Sequence, residues 1–239
     1  FGNNSTVTVG GATTTLVAND LPYLVKRKAT VASNSVLAFG QGVVVKGHDN
    51  RSSNAGEIEV ASGASLYNAG TAPTDLVFTS LRDTSVGGTT ESGLASAAAG
   101  DWIGITVLAD GHLALSGFTL KYGGQRATNP FYGESAGALK ITGGTAASGN
   151  LTHALFDTNY QSGLNLASVL SLAVSDAVFQ NHTTGGAGYG TAIYGNSSVA
   201  TFTTTSFSNN QYDGFGSSNT FSCTNCGTPI TSPANLLAP

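Results

Sequence analysis

The chain has 239 residues, a net charge of −4, a pI near 5.4 and only 9% charged residues. Nucleic-acid binding is disfavoured, because phosphate recognition needs a basic stripe and the one basic run is Lys26-Arg27-Lys28. No apolar run reaches 18 residues, so we expect no membrane span. Abundant Gly, Thr, Ser, Ala and Val without Met are typical of strands and turns in an exported protein, and the initial Phe1 indicates a trimmed chain whose export signal has been removed.

A Thr/Val/Gly-rich segment opens the chain and has two interpretations. As an ordinary first strand, it covers the end of a stack of strands. As a donor, it pairs with an exposed strand edge of a second subunit. The residues of this predicted polymerisation segment are Ser5, Val7, Val9, Leu16 and Val17. We predict that residues 1–30 form an N-terminal strand or cap.

The next hundred residues carry short motifs in a fixed order. PYLV and GVVVK are followed by a small loop reading GTA, by VFTS and, after a polar excursion, by GDWIGI. This order, over residues 22–124, resembles the opening coils of bacterial secreted and cell-surface right-handed parallel β-helix proteins of the adhesin and surface-fibre type. The resemblance implies a pectate-lyase-like fold. Because that fold carries adhesins, fibres, surface-layer components and carbohydrate-active enzymes, it does not by itself specify a function.

The polar excursion before GDWIGI contains the charged residues that bear on catalysis and metal binding. Relatives often carry an Asp- and Asn-rich loop here that looks suited to calcium. This loop has fewer carboxylates, so backbone carbonyls would have to complete a low-affinity Ca²⁺ site, and we predict no other cofactor. The candidate metal ligands are Asp83, Glu91 and Asp101, and the candidate catalytic residues are Arg82, Asp83, Glu91 and Asp101, with His112 beside them. Loop capping and turn formation explain the same residues without catalysis.

From Gly100 onward a sequence repeat recurs about every two dozen residues. Each repeat has a glycine-containing start, short strands with a period of two, and a turn rich in Asn, Asp or Gln. The phenylalanines at the ends of the repeats are Phe118, Phe156, Phe179 and Phe207. Several short strands per repeat indicate one coil of a solenoid. The predicted fold class is therefore all-β, a right-handed parallel β-helix of roughly nine coils that forms a single domain over residues 1–239.

Asparagines follow the closing phenylalanines, at Asn159, Asn181, Asn209 and Asn210. Residues at equivalent positions of a solenoid stack at the strand spacing. We therefore predict a ladder of side-chain amides at a tight turn that contains a left-handed residue. The phenylalanines are predicted to stack beside this ladder in the core.

Aromatic residues recur just beyond these turns, and His182 lies in a similar place. If the coils are in register, these rings lie along one edge of the rod, where sugars can stack on them. A long loop adds two more rings. The predicted glycan-binding residues are Tyr122, Phe131, Tyr132, Tyr160 and Tyr212. The alternative is that these rings only cover the turns and pack under loops.

Two cysteines lie near the end of the chain in the sequence SCTNCG. Zinc would need two further ligands, and the nearest histidine is His182. We therefore predict a local disulfide between Cys223 and Cys226 in a C-terminal cap of residues 223–239. A disulfide and a weakly charged surface indicate an extracellular or cell-surface location.

Together these patterns predict a non-enzymatic extracellular structural and adhesive module, with assembly into a surface fibre or filament as one form of that role. The predicted partners are further copies, joined end to end or by strand exchange, and surface glycans or polysaccharides. The alternative is a carbohydrate-active β-helix enzyme, a lyase or hydrolase, or a pure glycan-binding module. After Lys140 the only charged side chains are Asp157, Asp176 and Asp213, and their different offsets from the phenylalanines disfavour a shared catalytic face.

Overall fold

The protein is all-β, and its strands stack in parallel in two sheets. The computed structural model describes residues 7–48, 56–90, 95–124, 137–143, 148–183 and 190–226. Four residues of the predicted sites lie outside this part of the chain, namely Ser5, Glu91, Phe131 and Tyr132. Among the described residues no helix is long and apolar enough to cross a membrane.

The first sheet contains eight strands, and every neighbouring pair is parallel. In stacking order the strands are β1 (Val7–Val9), β4 (Lys28–Val31), β7 (Glu57–Val60), β10 (Gly104–Val107), β12 (Leu139–Thr142), β14 (Ser162–Ala167), β17 (Thr191–Asn196) and β20 (Tyr212–Ser217). Because the chain leaves this sheet between any two of them, each strand marks one level of the stack.

The second sheet contains thirteen strands in two adjoining columns. The longer column stacks β2 (Thr13–Leu16), β5 (Val36–Phe39), β8 (Ser65–Asn68), β11 (His112–Lys121), β13 (Ser148–Asp157), β15 (Ser171–Ser175), β18 (Val199–Thr203) and β21 (Thr220–Thr224). The adjoining column contains β3 (Tyr23–Val25), β6 (Val43–Gly47), β9 (Leu76–Ser80), β16 (Val178–Gln180) and β19 (Ser206–Ser208). The ten-residue strands β11 and β13 belong to both columns and join them. Alternate side chains of both sheets enter one continuous apolar core.

The predicted polymerisation segment forms the first strand of each sheet. Val9 on β1 pairs with Val31, and Leu16 on β2 pairs with Phe39. Val17, just beyond β2, is 57% exposed. The segment is therefore folded onto its own chain, and donation to a second subunit stays a prediction.

The strand register corrects the predicted phenylalanine column at its first member. Phe156 pairs with Phe179 and Phe179 with Phe207, and the ring centroids lie 4.5 and 5.5 Å apart. The residue opposite Phe156 on the preceding level is Leu120, whereas Phe118 lies two residues earlier. Phe118 nevertheless meets the edge of the Phe156 ring at 5.6 Å. Since leucine fills the same core position, aromatic spacing alone could not fix the register.

The predicted ladder is confirmed, but it consists of two parallel rows. In the outer row, Asn209 Nδ2 donates to Asn181 Oδ1 at 2.8 Å, and Asn181 Nδ2 donates to Asp157 Oδ1 at 2.8 Å. Asn181 and Asn209 both have positive φ angles, of 60° and 51°. Asparagine tolerates this left-handed geometry better than most residues, and the side-chain bonds hold successive turns in register.

The inner row contains Asn159, His182 and Asn210, so histidine occupies a place where the neighbouring levels have asparagine. Asn159 Oδ1 accepts from the backbone N of Gly123 at 2.9 Å, and its Nδ2 donates to a strand carbonyl at 3.0 Å. Asn210 Oδ1 accepts from the backbone N of His182 at 3.1 Å, and its Nδ2 donates to the carbonyl of Phe179 at 3.0 Å. These backbone bonds fix which end of each amide faces the imidazole.

The fixed amides require His182 to be neutral. Its Nδ1 lies 2.7 Å from Asn210 Oδ1 and therefore donates, while Nε2 lies 3.3 Å from Asn159 Nδ2 and therefore accepts. Protonation would set Nε2–H against the Asn159 N–H donors. His182 is completely buried, and this burial lowers the pKa of the imidazole to about 4, although the Asn210 bond and the charge of Asp157 act in the opposite direction.

We expect the free energy of unfolding to fall as the pH drops from about 6.5 to about 4. In this window the unfolded chain binds a proton at His182 that the folded chain rejects, so the stability present above the unfolded pKa is lost on acidification. The slope should be about 1.4 kcal/mol per pH unit, with a total of about 3 kcal/mol. Urea unfolding at a series of pH values measures this slope.

The variant His182→Asn should remove most of the slope, because it continues the amide row without a titrating group. His153→Asn is the matched control, since the side chain of His153 is 44% exposed, and it should retain the slope. Equal slopes in the unaltered chain and in His182→Asn would contradict the assignment.

Candidate functional site

The carboxylate of Asp83 is buried at the start of the polar excursion, and both of its oxygens accept hydrogen bonds. Its Oδ2 accepts from Thr79 Oγ1 at 2.6 Å and from Lys121 Nζ at 2.7 Å. Its Oδ1 accepts from the backbone N of Ser85 at 3.0 Å and from Ser85 Oγ at 2.6 Å. Asp83 therefore ties the excursion to β9 and β11.

The charges around Asp83 are arranged to keep it ionised. Burial opposes ionisation, but the bonds from Lys121, Ser85 and Thr79 outweigh it and lower the pKa of Asp83 to about 2. Beneath the excursion lies Lys46, fully buried, whose Nζ donates to the carbonyls of Asp83 at 2.7 Å and Gly88 at 2.6 Å. Burial lowers the pKa of Lys46, and the Asp83 charge opposes that change. A buried ammonium bound by loop carbonyls holds the excursion against the sheet.

Asp101 anchors the other end of the excursion. Its Oδ2 accepts from Ser80 Oγ at 2.7 Å and from the backbone N of Ala98 at 3.0 Å. The next residue, Trp102, is completely buried and donates its Nε1–H to the carbonyl of Lys121 at 3.0 Å. The GDWIGI motif thus binds the end of the excursion to β9 and places a tryptophan in the core.

The structure separates the two carboxylates that the sequence placed together. Asp83 binds Thr79 and Asp101 binds Ser80, and consecutive residues of a strand project to opposite faces. The two carboxylates therefore approach β9 from different sides. Among the described residues, no three His, Cys, Asp or Glu side chains lie close enough together to hold a metal ion. The predicted set is completed by Arg82, in the turn just beyond β9, and by Glu91, which lies outside the described residues.

His112 lies in the longer column of the second sheet, whereas the excursion is bound to β9 in the adjoining column. His112 is on β11, with Ser65 and Ser148 opposite it on the neighbouring strands of the longer column. Its side chain projects from the outer face of the second sheet. The structure therefore assigns His112 to a different surface from Asp83 and Asp101.

The predicted row of tyrosines is divided among different environments. Tyr122 is partly buried, has a φ of 61°, and its ring centroid lies 5.4 Å from Lys121 Nζ. The backbone N of Tyr160 bonds to the carbonyl of Gly123, so Tyr160 does not lie directly over Tyr122. Tyr212 opens β20 in the first sheet and pairs with Thr191. His182 belongs to the buried ladder, and glycan binding by the tyrosines stays a prediction.

The outer face of the longer column contains a shallow groove that the sequence did not reveal. It crosses five strands, from β5 to β15. We call it the uncharged groove and define it by Ser65, Tyr67, His112, Ala114, Asn150 and Ala173. Tyr67 is 45% exposed, whereas Trp102 and seven phenylalanines of the described residues are buried in the core.

The surroundings of the uncharged groove differ from the outer face of the first sheet. There, Lys28 Nζ lies 3.3 Å from Glu57 Oε2 and 2.5 Å from Glu59 Oε2. Around the groove, the outward positions of the longer column are occupied by Val36, Ala38, Ser65, Tyr67, His112, Ala114, Asn150, Ser171 and Ala173, without Asp, Glu, Lys or Arg. The groove can offer hydroxyl, amide and imidazole groups and an aromatic ring, and no carboxylate, ammonium or guanidinium group lines it.

The cysteine prediction is confirmed. Cys223 and Cys226 form a disulfide with a Cα–Cα distance of 6.0 Å. Cys223 lies on β21 and Cys226 lies just beyond it, so the bridge closes the turn that follows the last described strand.

Replacing Asp83 by Asn should destabilise the protein by about 3–5 kcal/mol, because Lys121 then loses its buried partner and an amide N–H faces other donors. Urea unfolding at pH 7 measures this difference. The matched control is Asp176→Asn, since the Asp176 side chain is 47% exposed and a change of less than about 1 kcal/mol is expected there. Similar stabilities for the two variants would contradict the anchoring role.

Comparison with known proteins leaves the family open. No protein-family model matches the chain, and no match was found among curated proteins or solved structures. The resemblance to bacterial cell-surface β-helix proteins therefore remains a prediction from the motifs. The structure assigns the chain an architecture without a family, namely an all-β stack of parallel strands in two sheets.

Proposed function

We propose that the protein is a non-enzymatic structural and adhesive module that works outside the cell, built as a right-handed parallel β-helix of roughly nine coils. The observation that carries this proposal is the single core that runs through successive levels, from Val31 on β4 to Phe207 on β19. Such a stack is stiff along its axis because strand pairing bonds each level to the next, and between β13, β16 and β19 the stacked phenylalanines and the two amide rows add further contacts.

The positions of the carboxylates support a role without catalysis. A polysaccharide hydrolase needs two carboxyl groups on either side of one glycosidic bond, with at least one free to exchange a proton. Asp83 is held ionised by four donors, and Asp101 accepts from Ser80 and Ala98. Both groups are used to fasten a loop to the stack.

The proposed location is extracellular or at the cell surface. A disulfide in a chain of this size persists in oxidising compartments, and Cys223–Cys226 is one. The surface depends on hydroxyls and amides rather than on ion pairs, which suits an exported protein. Other copies, joined end to end or by exchange of the segment up to Val17, and surface glycans are the proposed partners.

Attachment of chain-coated beads tests the proposal. Beads that carry the purified protein should adhere to surfaces coated with bacterial envelope polysaccharide, and beads that carry an unrelated protein of equal charge should not. Negative-stain electron microscopy of the same preparation should show short rods, or filaments if subunits add end to end. Beads that adhere to none of the surfaces tested would overturn the adhesive role.

The enzyme alternative is tested on the same polysaccharides. Prolonged incubation with the protein should release neither new reducing ends nor unsaturated sugars. Turnover that disappears in Asp101→Asn, while the variant keeps the circular dichroism spectrum of the unaltered chain, would establish catalysis and reject the proposal.

A further inference from the structure

We propose that the uncharged groove on the outer face of the longer column binds a neutral polysaccharide chain, with the ring of Tyr67 as its stacking platform. This inference rests on the proposed adhesive function and names the surface and the class of ligand. It assigns recognition to Tyr67, His112 and Asn150, none of which belongs to the predicted row of tyrosines.

The setting of Tyr67 leaves its ring open to a ligand. The strand register places Ala38 and Ala114 on either side of Tyr67 in the same outward row. A methyl group is too small to cover the face of a phenol ring, and Tyr67 is 45% exposed as a result. The apolar C–H face of a sugar packs on such a ring, while the phenol hydroxyl can bond to sugar hydroxyls at the rim.

Polar groups continue along the groove beyond Tyr67. Asn150 follows Ala114 in the same row and is exposed, and Ala173 follows Asn150. In the adjacent row, Ser65 and His112 lie opposite one another on β8 and β11. An amide, an imidazole and a hydroxyl supply both donors and acceptors, which is what a sugar with several hydroxyl groups requires.

The dimensions and the charge of the groove favour a neutral polymer. Five parallel strands at the usual spacing give a length of roughly 19 Å, which accommodates several sugar rings in a row. No Lys or Arg lies among the residues that line the groove, so carboxylate or sulfate groups of an anionic polymer would find no ion-pair partner within it. The small side chains Ala114 and Ala173 keep the floor low between the polar groups.

Affinity electrophoresis of the full chain in native gels tests the inference. Gels that contain dextran, laminarin or galactomannan supply neutral probes, and gels that contain alginate or polygalacturonate supply anionic ones. Migration should be retarded by at least one neutral probe and by neither anionic probe. Tyr67→Ala should weaken the retardation about tenfold, expressed as the polysaccharide concentration that halves the mobility.

Three further variants, one of them a control, separate recognition from folding. Ala114→Arg fills the groove floor with a long charged side chain at an exposed position and should abolish retardation without changing the unfolding midpoint. Thr201→Ala, in the same row as Asn150 but outside the groove, is the matched control and should bind like the unaltered chain. Asn150→Ala should weaken retardation because a donor and an acceptor are lost together.

The outcomes distinguish this inference from the function on which it rests. Retardation that survives both Tyr67→Ala and Ala114→Arg overturns the groove assignment. If retardation is lost in Tyr122→Ala or Tyr160→Ala instead, polysaccharide binding lies at the predicted tyrosines. Adhesion by beads that carry Ala114→Arg, together with unretarded migration of the unaltered chain, overturns the groove while leaving the adhesive function in place. Concentration-dependent self-association that Ala114→Arg removes, without retardation by any neutral probe, would assign the face to a second copy and reject the inference.

Discussion

The main constraint on this molecule is that each level must place its turn directly over the turn of the preceding level. At the edge beside the phenylalanine core, Tyr122, Thr158, Asn181 and Asn209 all have φ angles between 51° and 61°. Outside glycine, this left-handed geometry costs about 1 kcal/mol or more per residue. The cost is offset by side-chain bonds between levels, such as Asn209 to Asn181. A slip in register would break every such bond at once, so the ladder fixes the stacking of the levels that contain β13, β16 and β19.

Much of the fold could be predicted, because strand alternation and Asn-rich turns are local properties of the sequence. The pairing of levels could not, because it depends on which residue of each repeat reaches the core. Leu120 takes the place expected for Phe118, and His182 takes a place held by asparagine on adjacent levels. In both cases a different side chain meets the same requirement, which a search for identical residues cannot detect.

The functional surfaces were harder to predict than the fold. Asp83 and Asp101 are near each other in sequence, yet they bind neighbouring residues that face opposite ways. Conversely, Tyr67 and Asn150 are 83 residues apart and are brought to one row by strand pairing alone. Only the period-two pattern of SLYN and HLALS, combined with the correct register, would have predicted their common outward direction. A groove made of one to three residues from each of five strands leaves no contiguous motif.

The distribution of charge along the rod has a consequence for the medium in which it can work. No lysine or arginine follows Lys140, so the later levels depend on amide bonds, stacked rings and apolar contacts. The ion pairs of Lys28 with Glu57 and Glu59 belong to the first levels and are partly exposed. At the ionic strength of brine, exposed pairs are screened over a few ångströms, whereas neutral contacts are not weakened in this way. Salt would therefore weaken the ion pairs of the first levels more than the neutral contacts of the later ones.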